Sequence, residues 1–98
     1  MVVNYSAPSS VTVGTTSTRV VAENPQRTFL QLVNISDENI FLAFGQKAVL
    51  NKGLCLIPNG VFTMVQENLS LLNMTAICTS GSKTLTIQEA TKEVNFRL

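Results

Sequence analysis

Short apolar runs separated by turn residues recur along most of the chain. They cover 11–13, 19–22, 28–34, 39–44, 54–57, 61–65, 73–78 and 83–89. Eight runs at this spacing are typical of an antiparallel sandwich or barrel and not of strands that alternate with helices. The pattern therefore predicts an all-β protein. We expect a single antiparallel β-sandwich, jelly-roll-like, with about eight short strands and extended N- and C-terminal segments.

The length of 98 residues allows one domain with one core. We predict an extended N-terminal arm over 1–10, which contains Pro8 and three serines and has no sustained period. A β-sandwich domain over 11–90 follows, and then a C-terminal strand or tail over 91–98. The segment 65–72 is predicted to be a loop with a short strand, because asparagine and serine in its middle favour turns.

The alternation of apolar and polar residues within a run predicts which face each residue occupies. In the run 83–89, Leu85 and Ile87 should face a core while the residues between them face outward. The runs 28–34 and 39–44 are more continuously apolar. We therefore expect two central strands that are covered on both faces or paired with another subunit.

Two chain reversals have clear turn residues. The polar segment Glu-Asn-Pro-Gln at 23–26 predicts a strand, a turn and a strand, which we interpret as a hairpin. Asn59-Gly60 predicts a second hairpin, because both residues tolerate positive φ. Pro58 favours a strand end, so this second loop is expected to be wider than two residues.

Charged residues are scarce. They make up 13% of the chain, against about 25% in typical soluble domains. Seven basic and six acidic residues leave a net charge of +1, and no Lys or Arg cluster occurs. A nucleic-acid groove needs concentrated positive charge, so this partner is not expected. The low charge suggests a neutral surface that is suited to being covered.

The N-terminus lacks the pattern of a signal peptide, and no apolar run approaches the roughly 20 residues of a membrane helix. We therefore expect synthesis in a cytoplasm and no membrane association. Cys55 and Cys78 lack the spacing of a zinc site and lie in apolar stretches. They are predicted to be two buried thiols, with a disulfide as the alternative.

The inventory of reactive groups argues against catalysis. The chain has no histidine, and so no usual general base, Ser-His pair or common metal ligand. Asp37 and Glu38 are adjacent in a predicted turn and are interpreted as a solvated loop tip. We predict no enzyme activity and no catalytic, cofactor-binding or metal site.

Several charged, aromatic and terminal residues are candidate partner contacts. Arg19 and Arg27 flank the first predicted hairpin, either as solvated strand ends or as guanidinium groups that dock onto acidic patches of a partner. Tyr5 and Phe96 either cap the open ends of the sandwich or anchor in a groove of a neighbouring subunit. The complete candidate set is Tyr5, Pro8, Arg19, Arg27, Phe96, Arg97 and Leu98.

Several short phrases along the chain carry a resemblance to known proteins. They are Val-Gly-Thr-Thr-Ser-Thr-Arg-Val at 13–20, Asn-Pro-Gln-Arg at 24–27, Asn-Ile-Ser-Asp at 34–37, Ile-Phe-Leu-Ala-Phe-Gly at 40–45, Leu-Ile-Pro-Asn-Gly at 56–60 and Leu-Thr-Ile-Gln-Glu at 85–89. Over about residues 11–90, this order resembles a class of small virion proteins of tailed bacteriophages. That class includes head decoration or cement proteins, head fibres, and neck or tail attachments.

The resemblance implies a non-enzymatic structural protein without a cofactor. It is expected to be a capsid decoration (cement) subunit, made in the host cytoplasm, that binds the major capsid protein on the outer surface of the phage head and links adjacent capsid subunits. Homo-oligomers are also expected, with a trimer as one arrangement. The alternatives are a tail- or fibre-associated adhesion or attachment module and a cellular β-sandwich interaction domain.

Overall fold

Two antiparallel sheets form the molecule. The structure is a computed structural model and describes residues 3–65 and 68–92. Its strands are β1 (Val3–Tyr5), β2 (Ser9–Val13), β3 (Thr18–Val21), β4 (Arg27–Asn34), β5 (Ile40–Phe44), β6 (Leu54–Leu56), β7 (Val61–Met64), β8 (Met74–Cys78) and β9 (Lys83–Lys92). Sheet A has the order β1-β9-β4-β7, with β2 also paired to β9, and sheet B has the order β3-β8-β5-β6. The prediction of an all-β sandwich is confirmed.

The strand pairing is that of a jelly roll. β1 and β2 pair with successive parts of β9 and act as one interrupted strand. Moving inward along the chain, β3 pairs with β8, β4 with β7, and β5 with β6. The chain is thus one long hairpin wound into two facing sheets, as in jelly-roll folds.

Each of the eight apolar runs contains a strand. The faces predicted for β9 are also confirmed, because Leu85 is fully buried and Ile87 packs against the core. β4 and β5 occupy the central positions that were predicted for them. No strand occurs in the part of 65–72 that the structure describes, so the short strand predicted there is not found among residues 65 and 68–72.

The N-terminal arm is extended, but it is paired along the sheet. Tyr5 lies opposite Ala90, and Ser9 lies opposite Ile87. The sequence did not predict β1, because its three residues are all exposed and carry no burial pattern. At the other end, β9 continues to Lys92, which gives a strand to the start of the predicted 91–98 segment. Residues 93–98 lie outside the described residues.

The prediction of two hairpins is wrong. The turn after β3 carries the chain from sheet B to sheet A, and the turn after β6 does the same. Asn59 has the positive φ that was expected, at 65°, whereas Gly60 does not, and Gly60 N donates to Ile57 O at 2.7 Å. Pro58 and Asn59 occupy the two central positions of this turn, as in type II turns. Turn residues specify that the chain reverses, but the neighbour of each strand is chosen by distant strands.

The main core lies between the sheets. Its fully buried members include Leu30, Leu32, Ile40, Met64 and Leu85. A second apolar cluster lies on the outside of sheet B, where Phe41 and Ile77 pack against Ala48. β5 is therefore covered on both faces, one of the two environments predicted for it.

Candidate interaction surfaces

Arg27 lies inside the molecule and binds four groups. Its side chain is 0% exposed, and Nε donates to the Glu89 carboxylate at 2.6 Å. Nη1 donates to the carbonyl oxygens of Ser70 and Leu72, and Nη2 donates to that of Ala22 at 2.8 Å. Both interpretations of Arg27 from the sequence, a solvated strand end and a partner contact, are therefore wrong. The guanidinium faces neither solvent nor a partner.

A bulge at the start of β4 accompanies this burial. The register with β9 shifts between Arg27 and Phe29. Such a bulge re-aims a side chain relative to the regular alternation. No residue in the Asn-Pro-Gln-Arg segment signals the bulge, so sequence reasoning had no means of finding it.

The other described candidates lie at the surface. Arg19 is exposed on the edge strand β3. Tyr5 is 65% exposed, and its ring lies 5.9 Å from that of Phe29 at an angle of 60°. Pro8 is exposed between β1 and β2, on the same edge of sheet A as Tyr5. Their role in partner binding stays a prediction.

The remaining candidates, Phe96, Arg97 and Leu98, lie outside the described residues. The structure therefore brings Tyr5 and Pro8 to one edge of sheet A, places Arg19 on sheet B, and buries Arg27.

The two cysteines have different environments. Cys78 is buried as predicted, and burial raises the pKa of its thiol, with the nearby Glu38 charge acting in the same direction. Cys55 is exposed, so its predicted burial is wrong. It lies opposite Phe41 on the edge strand β6, where its side chain points away from the core. Both thiols are free, which contradicts the disulfide alternative.

Asn34 is the polar centre of the opposite end of β4. Its side chain is fully buried, and Nδ2 donates to the carbonyl oxygens of Glu38 at 2.7 Å and Leu56 at 2.8 Å. Oδ1 accepts hydrogen bonds from both N and Oγ of Ser36. The side chain therefore holds the start and finish of the β4–β5 loop against the end of β6.

We call this region the Asn34 end and define it by four loops, 14–17, 35–39, 57–60 and 79–82. Backbone hydrogen bonds support the side-chain network, because Asn34 N donates to Gly60 O at 3.0 Å and Asn59 N donates to Asn34 O at 2.7 Å. A Cβ on Gly60 would lie 2.8 Å from Ile57 O, so the close turn requires glycine. The four loops form a rigid frame.

Two acidic residues add cross-links at this end. Asp37 has an 84% exposed side chain and accepts a hydrogen bond from Lys83 at 2.7 Å, which lowers the pKa of Asp37 and raises that of Lys83. Ser80 N donates to Glu38 Oε1 at 2.7 Å and lowers the pKa of Glu38. Asp37 lies at the solvated tip that was predicted, whereas Glu38 bridges to a second loop.

Two isoleucines project from the Asn34 end. Ile35 is 54% exposed and Ile57 is 61% exposed. They lie on adjacent loops, which are joined by the backbone hydrogen bonds of Asn34. Sequence reasoning did not select them, because Ile57 ends the apolar run 54–57 and Ile35 directly follows the run 28–34, so the pattern does not signal their exposure. Ile35 and Ile57 thus form a small exposed apolar surface on loops that are held by hydrogen bonds.

No described residue of the chain packs over the outer face of sheet A, and the described residues of this face are almost free of charge. From the register, its described residues are Val3, Tyr5, Ser10, Thr12, Phe29, Gln31, Val33, Val61, Thr63, Thr84, Thr86, Gln88, Ala90 and Lys92. Among these, Lys92 carries the single charge, at one end of β9. Gln31 lies in the centre, opposite both Gln88 and Thr63, and its Nε2 donates to Thr63 Oγ1 at 3.3 Å.

The outer face of sheet B, in contrast, is covered by its own chain. The 45–53 loop places Ala48 against Phe41 and Ile77. Ala48 N donates to Ser17 Oγ at 2.9 Å, which fixes the loop across the sheet. The main apolar side chains of this face are thus already buried.

Two kinds of feature were not found among the described residues, a metal-binding cluster and a membrane-spanning helix. Over residues 3–65 and 68–92, no group of three or more His, Cys, Asp or Glu residues is placed to hold a metal ion. The same residues contain no helix that is long and apolar enough to cross a membrane. No family model, curated protein or solved structure matches the chain.

Proposed function

We propose that this protein is a non-enzymatic structural subunit of a bacteriophage virion. It decorates the outside of the head and links adjacent subunits of the major capsid protein, without a cofactor. The resemblance of residues 11–90 to small phage virion proteins, the low charge and the single jelly-roll domain support the proposal.

The observation that carries the proposal is the exposure of Ile35 and Ile57 on the rigid Asn34 end. Neither side chain contributes to the core between the sheets. Because the loops are already fixed by hydrogen bonds, binding would cost little additional conformational entropy. The Asn34 end is therefore the surface proposed to contact the capsid.

Many copies acting together suit this kind of contact. Each copy buries a small apolar surface, and a lattice that carries many copies gains resistance to internal pressure from their sum. A protein of this kind needs a stable shape and a defined contact end, and it needs no reactive group.

The test uses heads of the encoding phage that lack this protein. Purified full-length chain is added, and stoichiometric binding is measured by co-sedimentation together with the temperature at which the heads release DNA. We expect saturable binding and an increase in that temperature. Binding to isolated tails and not to heads would contradict the placement on the capsid, as would the absence of binding to heads.

Variants localise the contact. Ile57→Asp and Ile35→Asp should each weaken head binding at least tenfold, which corresponds to about 1.4 kcal/mol or more, within the range of interface hot spots. Leu72→Asp is the matched control, because Leu72 is 54% exposed, as Ile35 is, and lies at the opposite end of the sandwich, where its carbonyl group accepts from Arg27. Equal losses in all three variants, or unchanged binding of both isoleucine variants, would contradict the proposed contact end.

A further inference from the structure

The outer face of sheet A has the properties of a surface that pairs with a copy of itself. We propose that two copies of this chain associate through this face by two-fold symmetry. The inference goes beyond capsid binding, because it concerns a different surface and is tested on the isolated protein.

The first argument is electrostatic. In a dimer with a two-fold axis, groups near the axis lie close to the same groups of the second copy. A concentrated charge on such a face would therefore lie against a charge of the same sign. Within the described residues this face carries Lys92 at one end and no other charge. The other described surfaces of the chain carry charges at Arg19, Lys47, Lys52 and the Asp37–Lys83 pair. The outer face of sheet A, in contrast, can pack against the same face of a second copy without charge repulsion.

The second argument concerns the hydrogen-bonding groups at its centre. Gln31 and Gln88 are opposite each other on adjacent strands. A two-fold axis through this row, either along or across the strands, places these amides opposite the amides of the copy. A primary amide both donates and accepts, so the row is complementary to itself. This property favours a second copy over an unrelated partner.

The third argument concerns size and the ends of the face. The five strands of sheet A contain 30 residues, and at a rise of about 3.4 Å and a spacing of about 4.8 Å they present roughly 500 Å² of flat sheet. Side-chain relief adds to this area, and each partner in a standard interface contributes about 800 Å². Tyr5 packs beside Phe29 at one end, and Val33 lies opposite Val61 towards the other. Aromatic residues are enriched in interfaces and charged residues are depleted from their cores, and this face has both properties.

Sedimentation velocity of the full chain from micromolar to millimolar concentration tests the proposal. We expect a reversible dimer. Gln31→Glu and Gln31→Lys should each weaken association at least tenfold, because each variant places like charges opposite each other. An equimolar mixture of the two variants should restore a dimer, because a negative centre then faces a positive one.

Gln46→Glu is the matched control, since it makes the same chemical change at an exposed position over sheet B. It should dimerise like the unchanged protein, and unfolding temperatures should show that every variant is folded. A monomer at all concentrations would overturn the proposal. So would a Gln31→Glu protein that associates normally, or a mixture that stays monomeric. Head binding of such a monomer would leave the proposed function intact.

Discussion

Each end of β4 places a polar side chain inside the protein, and the two side chains are stabilised in different ways. Each end of the sandwich is closed by one buried polar side chain, Arg27 at one end and Asn34 seven residues later at the other. Arg27 uses a charge and is paired with Glu89, whereas Asn34 is neutral and is saturated by hydrogen bonds to nearby loops. Arg27 binds the carbonyl groups of Ala22, Ser70 and Leu72, while Asn34 fixes loops that display exposed isoleucines.

The difference between the two ends indicates that they have different roles, one in the stability of the fold and the other in the proposed contact with the capsid. A buried charge that loses its partners costs more than a buried amide that loses its own, so the Arg27 end should dominate stability. The Asn34 end should instead determine the shape of the proposed capsid contact. Substitutions at the two ends therefore test whether these roles are distinct.

The largest expected effect is that of Arg27→Ala. It leaves Glu89 without its ion pair and three carbonyl groups without a donor, so the free energy of unfolding should fall by about 3 kcal/mol. Arg27→Lys should recover little, because one ammonium cannot replace the planar fork. Urea unfolding at neutral pH measures the change.

Arg19→Ala is the control for the two Arg27 variants. It should change the free energy of unfolding by no more than about 0.5 kcal/mol, because Arg19 is exposed. Similar losses for the two arginine variants would contradict the role assigned to Arg27.

Asn34→Ala should have the second largest effect, a loss of about 2 kcal/mol, because the carbonyl groups of Glu38 and Leu56 lose their donor inside the protein. The same variant should weaken head binding more than Arg27→Ala does under conditions where both are folded. Asn39→Ala, at an exposed position in the same loop, is the control. If Asn34→Ala loses stability but binds heads normally, the Asn34 end is not the contact surface.

The smallest expected effect is the loss of the stabilising contribution of Asp37 and Glu38 at acidic pH. The pKa values of Asp37 and Glu38 are lowered in the folded protein by Lys83 and Ser80 respectively. Their stabilising contribution is therefore complete above their ordinary values near pH 4, and it disappears as the pH falls through the lowered values. The protection of the Ser80 amide, which is its exchange rate relative to the intrinsic rate at the same pH, should fall over that range.

The variant Asp37→Asn/Glu38→Gln provides the comparison. It should have faster exchange at Ser80 at neutral pH and a weaker acid response than the unchanged protein. An identical acid response in both would assign the change to groups elsewhere in the chain.

The sequence determined the elements that depend on local pattern. The eight apolar runs contain strands, and the alternation in 83–89 predicted the buried face of β9, because burial of one sheet face imposes a period of two. The sequence also located a chain reversal at Asn59-Gly60, although the central residues of the turn are Pro58 and Asn59. Part of the candidate contact set, Tyr5 and Pro8, was placed at the surface as a partner contact requires.

The tertiary structure alone decided which strands become neighbours and what those neighbours bury. The crossing after β3, the burial of Arg27 and the exposure of Cys55 depend on groups far away along the chain, such as Glu89, which lies 62 residues from Arg27. The packing of the 45–53 loop over sheet B is decided in the same way, because Ala48 contacts Phe41 and Ile77 there. A local pattern specifies how apolar and polar residues alternate within one segment, whereas these features form only when distant strands pack together in the sandwich.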